Sequence, residues 1–238
     1  SHYAIAQVTS DATTNTTVTP NGNNFTIHNG IEKGNNLFHS FSNFSVPTGG
    51  AASFDLVNTP NTTTIFSRVT GGNVSNIDGL IHTVNSSNPV NLFLMNPNGI
   101  IFGQNAKLDI GGSFVGTTAN SIKFADGSEF SAANPTASPL LTMSVPIGLQ
   151  FGANPATIQV QGSGHSLTAQ EPILSPYVLG SPITGLQVKP GKTLALIGGD
   201  INLNGGVLTA PQGRIELGSV GAGRVNINPI FQGLTLEY

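Results

Sequence analysis

Residues Thr193–Asn228 read TLALIGGDINLNGGVLTAPQGRIELGSVGAGRVNIN, and this stretch decides the fold. Leu194 and Leu196 alternate before Gly198-Gly199. Ile201 and Leu203 alternate before Gly205-Gly206. Val207 and Leu208 precede Pro211-Gln-Gly213, and Ile215 and Leu217 alternate before Gly221-Ala-Gly223. Short alternating apolar pairs bounded by turn residues are strand signals, because successive strand side chains point to opposite faces. The interval from Leu194 to Ile215 covers three such strands.

The middle of the chain keeps a similar count. Apolar starts fall at Leu92, Ile100, Leu108, Phe114, Ile122 and Phe130. The interval from Leu92 to Phe114 equals that from Leu108 to Phe130, and each is one residue longer than that from Leu194 to Ile215. A period of roughly 20–25 residues built from three short strands predicts an all-β, three-faced solenoid whose coils stack with parallel pairing. The competing all-β reading is a sandwich or barrel of hairpins. Asp126-Gly127 and Asn204-Gly205 are hairpin-type dipeptides, but the steady count favours the solenoid. Helix periodicity is nearly absent.

The chain of 238 residues is read as a single unit in four parts. Residues 7–52 lack the count and supply an N-terminal cap, rich in Phe25, Ile27, Leu37, Phe38, Phe41, Phe44 and Val46. Residues 53–133 form the first coils. Residues 134–192 hold eight of the fifteen prolines and form an insertion outside the solenoid, with Thr157-Ile-Gln-Val160 as a strand within it. Residues 193–238 return to coils. Val225, Ile227, Leu234 and Leu236 still read as coil strands, so the natural protein is expected to continue past Tyr238. Ala4-Ile5-Ala6 has the form of a signal-peptide cleavage site.

Composition excludes several functions. Charged residues are 8% of the chain, against about 25% in ordinary domains. The net charge of −3 supplies no basic patch for nucleic acid. There are no cysteines, hence no disulfides or thiolate metal sites. No apolar run approaches the ~20 residues of a membrane helix. The five histidines are isolated, without metal-ligand spacing. Asp126 and Glu129 read as a solvated turn rather than a catalytic carboxylate pair. Gly218-Ser-Val-Gly221-Ala-Gly223 lacks the following helix that a phosphate loop needs. Six Asn-x-Ser/Thr sequons, at Asn15, Asn24, Asn43, Asn61, Asn73 and Asn85, are what chance gives in so Asn- and Thr-rich a chain. No catalytic residue, cofactor or metal is expected.

One turn stands out. Asn96-Pro97-Asn98-Gly99, between Leu92–Met95 and Ile100–Phe102, fits a type I turn at every position. Type I turns splay hairpin strands, so it reads as a corner between two faces of a coil.

The stretch Asn91–Gly103, NLFLMNPNGIIFG, also resembles the NPNGI motif of the two-partner secretion domain that opens filamentous haemagglutinins and related adhesins and haemolysins of Gram-negative bacteria. Supporting blocks, in the family's order, are Leu37–Phe44 (LFHSFSNF), Ile65–Gly72 (IFSRVTGG), Ser75–Gly79 (SNIDG) and Ile110–Phe114 (IGGSF). Their wording is most like that of cyanobacterial members, and the resemblance runs from about Phe25 to Val220. The family's earlier NPNL motif is not present literally; Asn58-Thr59-Pro60-Asn61 stands near its place as a degenerate counterpart.

This resemblance implies a right-handed parallel β-helix with an N-terminal cap and extra-helical strands. It implies a secretion domain that leads a large exported protein through the periplasm to the cell surface or beyond. Its partner would be an outer-membrane transporter of the Omp85 superfamily, which reads it through periplasmic POTRA domains, and the domain would nucleate β-helix folding of the passenger. Asn96, Pro97, Asn98, Gly99 and Ile100 match the motif, either as a label read by the transporter or as a corner that shapes the fold. Absence of cysteine suits a chain that must thread a pore unfolded after meeting an oxidising compartment. A surface adhesin or glycan-binding solenoid is the second reading, and a polysaccharide lyase the third.

Overall fold

The computed structural model describes residues 7–136, 141–165, 167–168, 178–180, 185–230 and 233–238. Three parallel sheets form the faces of a solenoid. The first face stacks Asn36–Phe44, Thr64–Val69, Asn91–Met95, Phe114–Thr117, Thr193–Gly198 and Arg214–Ser219. The second stacks Ser75–Ile77, Ile100–Phe102, Ile158–Gln161 and Ile201–Asn204. The third stacks Asn24–Asn29, Ala51–Asp55, Leu80–Val84 and Lys107–Asp109, and Leu186–Gln187 pairs in parallel with Leu208–Thr209. The chain visits the faces in rotation, as a three-beat sequence requires. Leu92↔Phe114 and Leu194↔Ile215 are register partners, so both of these intervals in the sequence are true coil lengths.

The solenoid begins at antiparallel strands. Thr16–Asn21 pairs with Asn24–Asn29, while Val8–Ser10 and Ile31–Lys33 pair with Asn36–Phe44. Reversing the strand direction ends parallel stacking on that side, which protects an otherwise open edge.

Two apolar cores flank the first face. Leu37, Ile65, Leu92, Leu94, Phe114, Leu194 and Leu196 point into the lumen and meet Ile27, Ile81, Ile100 and Phe102 from the other faces. The alternate residues point outward: Phe38, Phe66, Phe93, Val115 and Ala195 are register partners in one column. That column is also buried. It lies under a five-stranded antiparallel sheet of Glu129–Ser131, Ser121–Phe124, Pro146–Phe151, Gly223–Ile230 and Gly233–Glu237. Phe38 stacks on Phe66 at 5.2 Å, Phe66 lies 5.0 Å from Phe93, and Phe130 and Phe124 meet Phe38 and Phe66 edge-on at 5.1 and 5.2 Å.

This outer sheet corrects three readings of the sequence. Ile122 and Phe130 belong to it and not to coil faces; Leu108 pairs with Ile81, so the interval from Leu108 to Phe130 is no coil length. Val225, Ile227, Leu234 and Leu236 lie in its antiparallel hairpin and are not coil strands. Conversely, Ile158–Gln161 is a coil strand of the second face, although it falls in the proline-rich stretch. The physical reason is common to all three. A first face that is apolar on both sides needs a second cover, and the chain leaves the solenoid to build it. Phe114 and Leu194 are therefore adjacent rungs although that whole excursion separates them in the chain.

Candidate functional site: the Asn-Pro-Asn-Gly corner

The corner joins the first face to the second, between Asn91–Met95 and Ile100–Phe102. Gly99 N donates to the Asn96 carbonyl at 3.1 Å, closing the turn. Gly99 has φ +118, a conformation that L side chains rarely adopt. Asn98 N donates to Asn96 Oδ1 at 2.9 Å, the side-chain turn that asparagine offers at the first position.

Asn96 is fully buried. Its Nδ2 donates to the Asn73 carbonyl at 3.0 Å and to Ser75 Oγ at 2.9 Å, both on the preceding coil. Its Oδ1 accepts from Asn98 N and from Asn98 Nδ2 at 3.1 Å. Its backbone N donates to the Thr117 carbonyl on the following coil at 3.0 Å. A primary amide has two donors and two acceptor positions, and here the fold occupies all four. Asn98 is exposed, yet its Nδ2 also reaches back 2.6 Å to the Gly71 carbonyl. Pro97 is partly exposed; Gly99 and Ile100 are buried. The five residues hold three successive coils in register, and they present no nucleophile or titrating group.

Asn58-Thr59-Pro60-Asn61 lies at a different corner, between the third face and the next first-face strand. Asn58 and Asn61 are exposed and Thr59 is buried. Thr59 N donates to the Leu56 carbonyl, and Thr62 N to the Thr59 carbonyl. Asn58 Nδ2 bonds Asn29 Oδ1 at 3.1 Å. No buried asparagine occupies this corner, so its geometry does not repeat that of Asn96.

Asparagines and other polar side chains recur as ladders along the corners. Asn73 Nδ2 donates to Asn43 Oδ1 at 2.8 Å and Asn85 Nδ2 to Asp55 Oδ1 at 2.8 Å. Asp78 accepts from Thr48 Oγ1, from Asn105 N at 2.9 Å and from Asn105 Nδ2 at 3.2 Å. Burial alone would raise the Asp78 pKa; these bonds together bring it below the ordinary value. The uncharged polar composition is thus used to stitch coil to coil.

Sequence reasoning missed Arg68. It lies in Thr64–Val69, is 1% exposed, and points outward beneath the antiparallel sheet. Nε donates to Ser40 Oγ at 2.7 Å, Nη1 to the Ser131 carbonyl at 2.6 Å and Nη2 to Thr13 Oγ1 at 3.0 Å. The guanidinium also lies 4.5 Å from the centre of the Phe130 ring. Asp11 supplies the countercharge through Ser40, whose Oγ donates to its carboxylate at 2.5 Å; Thr70 Oγ1 donates at 2.6 Å. Burial would raise the Asp11 pKa, but the bonds from Ser40, Thr70 and Thr13 outweigh it and lower it. A lone arginine inside the apolar run Ile65–Val69 was the available signal, since a cation there must be paired.

Asp126 occupies a turn, where its Oδ1 accepts from Ser128 N at 3.0 Å, whereas Glu129 opens the strand Glu129–Ser131 and pairs with Lys123. Among the described residues, no three His, Asp or Glu side chains converge to hold a metal.

A family model described as the TPS secretion domain matches residues 6–237. The chain belongs to the TPS secretion domain family. Domains of this family are targeting domains of two-partner secretion rather than catalytic ones. No curated protein matches the chain. Among solved structures, the TPS domain is similar to the crystal structure of the HMW1 secretion domain from Haemophilus influenzae. The two are 20% identical with a TM-score of 0.59, over 98% of this chain and 48% of that chain. That likeness concerns the fold, and the chain spans about half the length of the solved one.

Proposed function

We propose that this TPS domain is read by periplasmic POTRA domains of an Omp85-type transporter while it is still unfolded, and that its folded form then templates the passenger's β-helix. The observation that carries the first half is Asn96. In the folded domain its amide is buried and fully bonded within the chain, so a partner has no free group of Asn96 to bind. The Asn96 amide is legible to a transporter only before folding. An extended segment carrying it would add to a sheet edge of the POTRA domain, with backbone bonds giving affinity and Asn96 and Asn98 specificity. After export the same residues lock the corner.

The second half is supported by the contrast between the two ends of the first face. Antiparallel strands finish one end. At the other, Arg214–Ser219 has no further parallel partner among the described residues, and the lumen-facing Ile215 and Leu217 are each 43% exposed. A further coil would pair with that edge and cover those side chains, at the same register that holds Leu194 to Ile215.

The test measures binding of the transporter's periplasmic fragment to the native chain and to a chain held unfolded by Phe66→Asp. We expect binding to the unfolded chain, weakened by Asn96→Ala, and no motif-dependent binding to the native one. Absence of binding to both forms sinks the proposal. Motif-dependent binding to the native form overturns the requirement for an unfolded chain.

A further inference from the structure

The corner amides are consumed by the fold, but a second set is not. On the outer side of the second face, Asn76, Ile101, Gln159 and Asn202 are register partners in one column, with Gln161 and Asn204 in the neighbouring one. At its start lies a groove of about 320 Å³ lined by Asn76, Asp78, Ile101, Gly103, Gln104 and Gln161. Gly103 lets the Asp78 carboxylate lie against the groove wall, because a Cβ there would collide with it. The side-chain amides of Asn76, Gln104 and Gln161 make no hydrogen bond to another described residue, unlike those of Asn73, Asn85, Asn96 and Asn105.

We propose that this groove binds a linear neutral saccharide laid along the solenoid axis. Sugar hydroxyls both donate and accept, and each amide offers both functions. Ile101 gives an apolar patch for the C–H face of a ring beside the amides of Asn76, Gln104 and Gln161. Rungs of a β-sheet lie about 4.8 Å apart, close to the length of one pyranose, so successive rungs present one column side chain per sugar, amide at Asn76, Gln159 and Asn202 and apolar at Ile101. The charge balance selects against other ligands. No Lys or Arg lines the groove to meet a phosphate or a nucleic acid. Asp78, fixed by Thr48 and Asn105, disfavours a uronate. An extended peptide needs a free backbone edge, whereas Ile100–Phe102 is paired on both sides.

The test is an amide-resolved NMR titration of the folded chain with cello-, laminari- and maltohexaose, and with a hexauronate as the charged control. We expect saturable shifts confined to the surroundings of Asn76, Ile101, Gln104 and Gln161 for at least one neutral hexaose, and weaker binding of the uronate. The double variant Asn76→Ala/Gln161→Ala removes amides that hold no described partner. It should keep the native melting temperature and lose binding at least tenfold. No saturable shift with any neutral hexaose, shifts elsewhere on the surface, or unchanged affinity in the double variant overturns the proposal. Because folding and transporter binding are not involved in the readout, this outcome is independent of the secretion reading.

Discussion

At the scale of single residues, Asn96 and Arg68 show two ways of burying polarity. Asn96 is neutral and answers every donor and acceptor it meets. Asn96→Ala strands Ser75 Oγ, the Asn73 carbonyl and Asn98 N, and each buried unpaired group costs about 1–3 kcal/mol. We expect a loss of about 2–3 kcal/mol in urea unfolding. Asn96→Asp separates the two halves of the amide. It keeps the acceptor for Asn98 N but turns an acceptor toward the Asn73 carbonyl, so it should be no more stable than Asn96→Ala despite its matching shape. An Asn96→Asp chain as stable as the parent to within about 0.5 kcal/mol, the usual range of a surface change, would show that the Nδ2 bonds are unimportant. Arg68 carries charge into a similar site and ties the N-terminal segment, through Thr13 and Ser40, to the antiparallel sheet at Ser131. Arg68→Met preserves the aliphatic packing yet leaves Asp11 without a cation, and about 3 kcal/mol should be lost. Arg68→Met/Asp11→Asn removes both charges. It should recover part of that loss if the pair, and not the volume, is what matters.

At the scale of elements, the closeness of the coils sets the sequence. Gly71 and Gly72 are adjacent at the turn below the Asn96 corner, yet only one of them needs to be glycine. A Cβ on Gly71 would run into the Ser42 carbonyl oxygen of the previous coil, while one on Gly72 meets nothing within 4 Å. Gly71→Ala should therefore cost about 2–3 kcal/mol, as overpacking against rigid backbone does, and Gly72→Ala should leave the melting temperature unchanged. The same closeness explains which elements were legible. Coil strands such as Leu194–Leu196 and Ile215–Leu217 announce themselves because one coil is a fixed length and its apolar pairs recur. The antiparallel sheet has no such period, and Ile122 and Phe130 imitate the coil count by accident. Its existence was nonetheless written in Asn91–Met95, where Phe93 and Met95 are apolar as well as the lumen-facing Leu92 and Leu94. A run apolar on both faces is buried on both faces. At the candidate site, turn chemistry gave the corner and the matching motif gave the family. The burial of Asn96 was not readable, because its partners Asn73 and Ser75 lie about one coil away and depend on the register.

At the scale of the molecule, most cohesion outside the local hairpins joins segments distant in the chain, and the pairing of Phe114 with Leu194 bridges the entire excursion between them. Such non-local topologies fold slowly, over milliseconds to seconds or longer, which leaves time for an exported chain to be met unfolded. Acid provides a direct probe of the folded state as a whole, through His39 at the heart of the N-terminal core. Its ring is buried against Phe41 and Phe54, with Nδ1 2.9 Å from Thr16 Oγ1. Burial pushes its pKa down to about 3. The neutral ring fits; the imidazolium does not. An unfolded chain takes up this proton near pH 6.5, so the contribution of His39 to stability is complete above that value and is lost as the pH falls toward 3. Half-buried His82, also lowered by burial despite nearby Asp109, acts in the same direction. The depressed carboxyl groups of Asp11, Asp55 and Asp78 weaken the fold only further down, below their unfolded values. The interval between pH 6.5 and 5 thus belongs to histidine. Urea unfolding across it should show a stability that falls by up to about 1.4 kcal/mol per pH unit for His39 alone. In His39→Gln, which keeps a hydrogen-bonding group for Thr16, the slope should flatten by that amount even if stability at pH 7.5 is lower. An unchanged slope in the variant would mean that the His39 site admits a proton and that acid acts elsewhere.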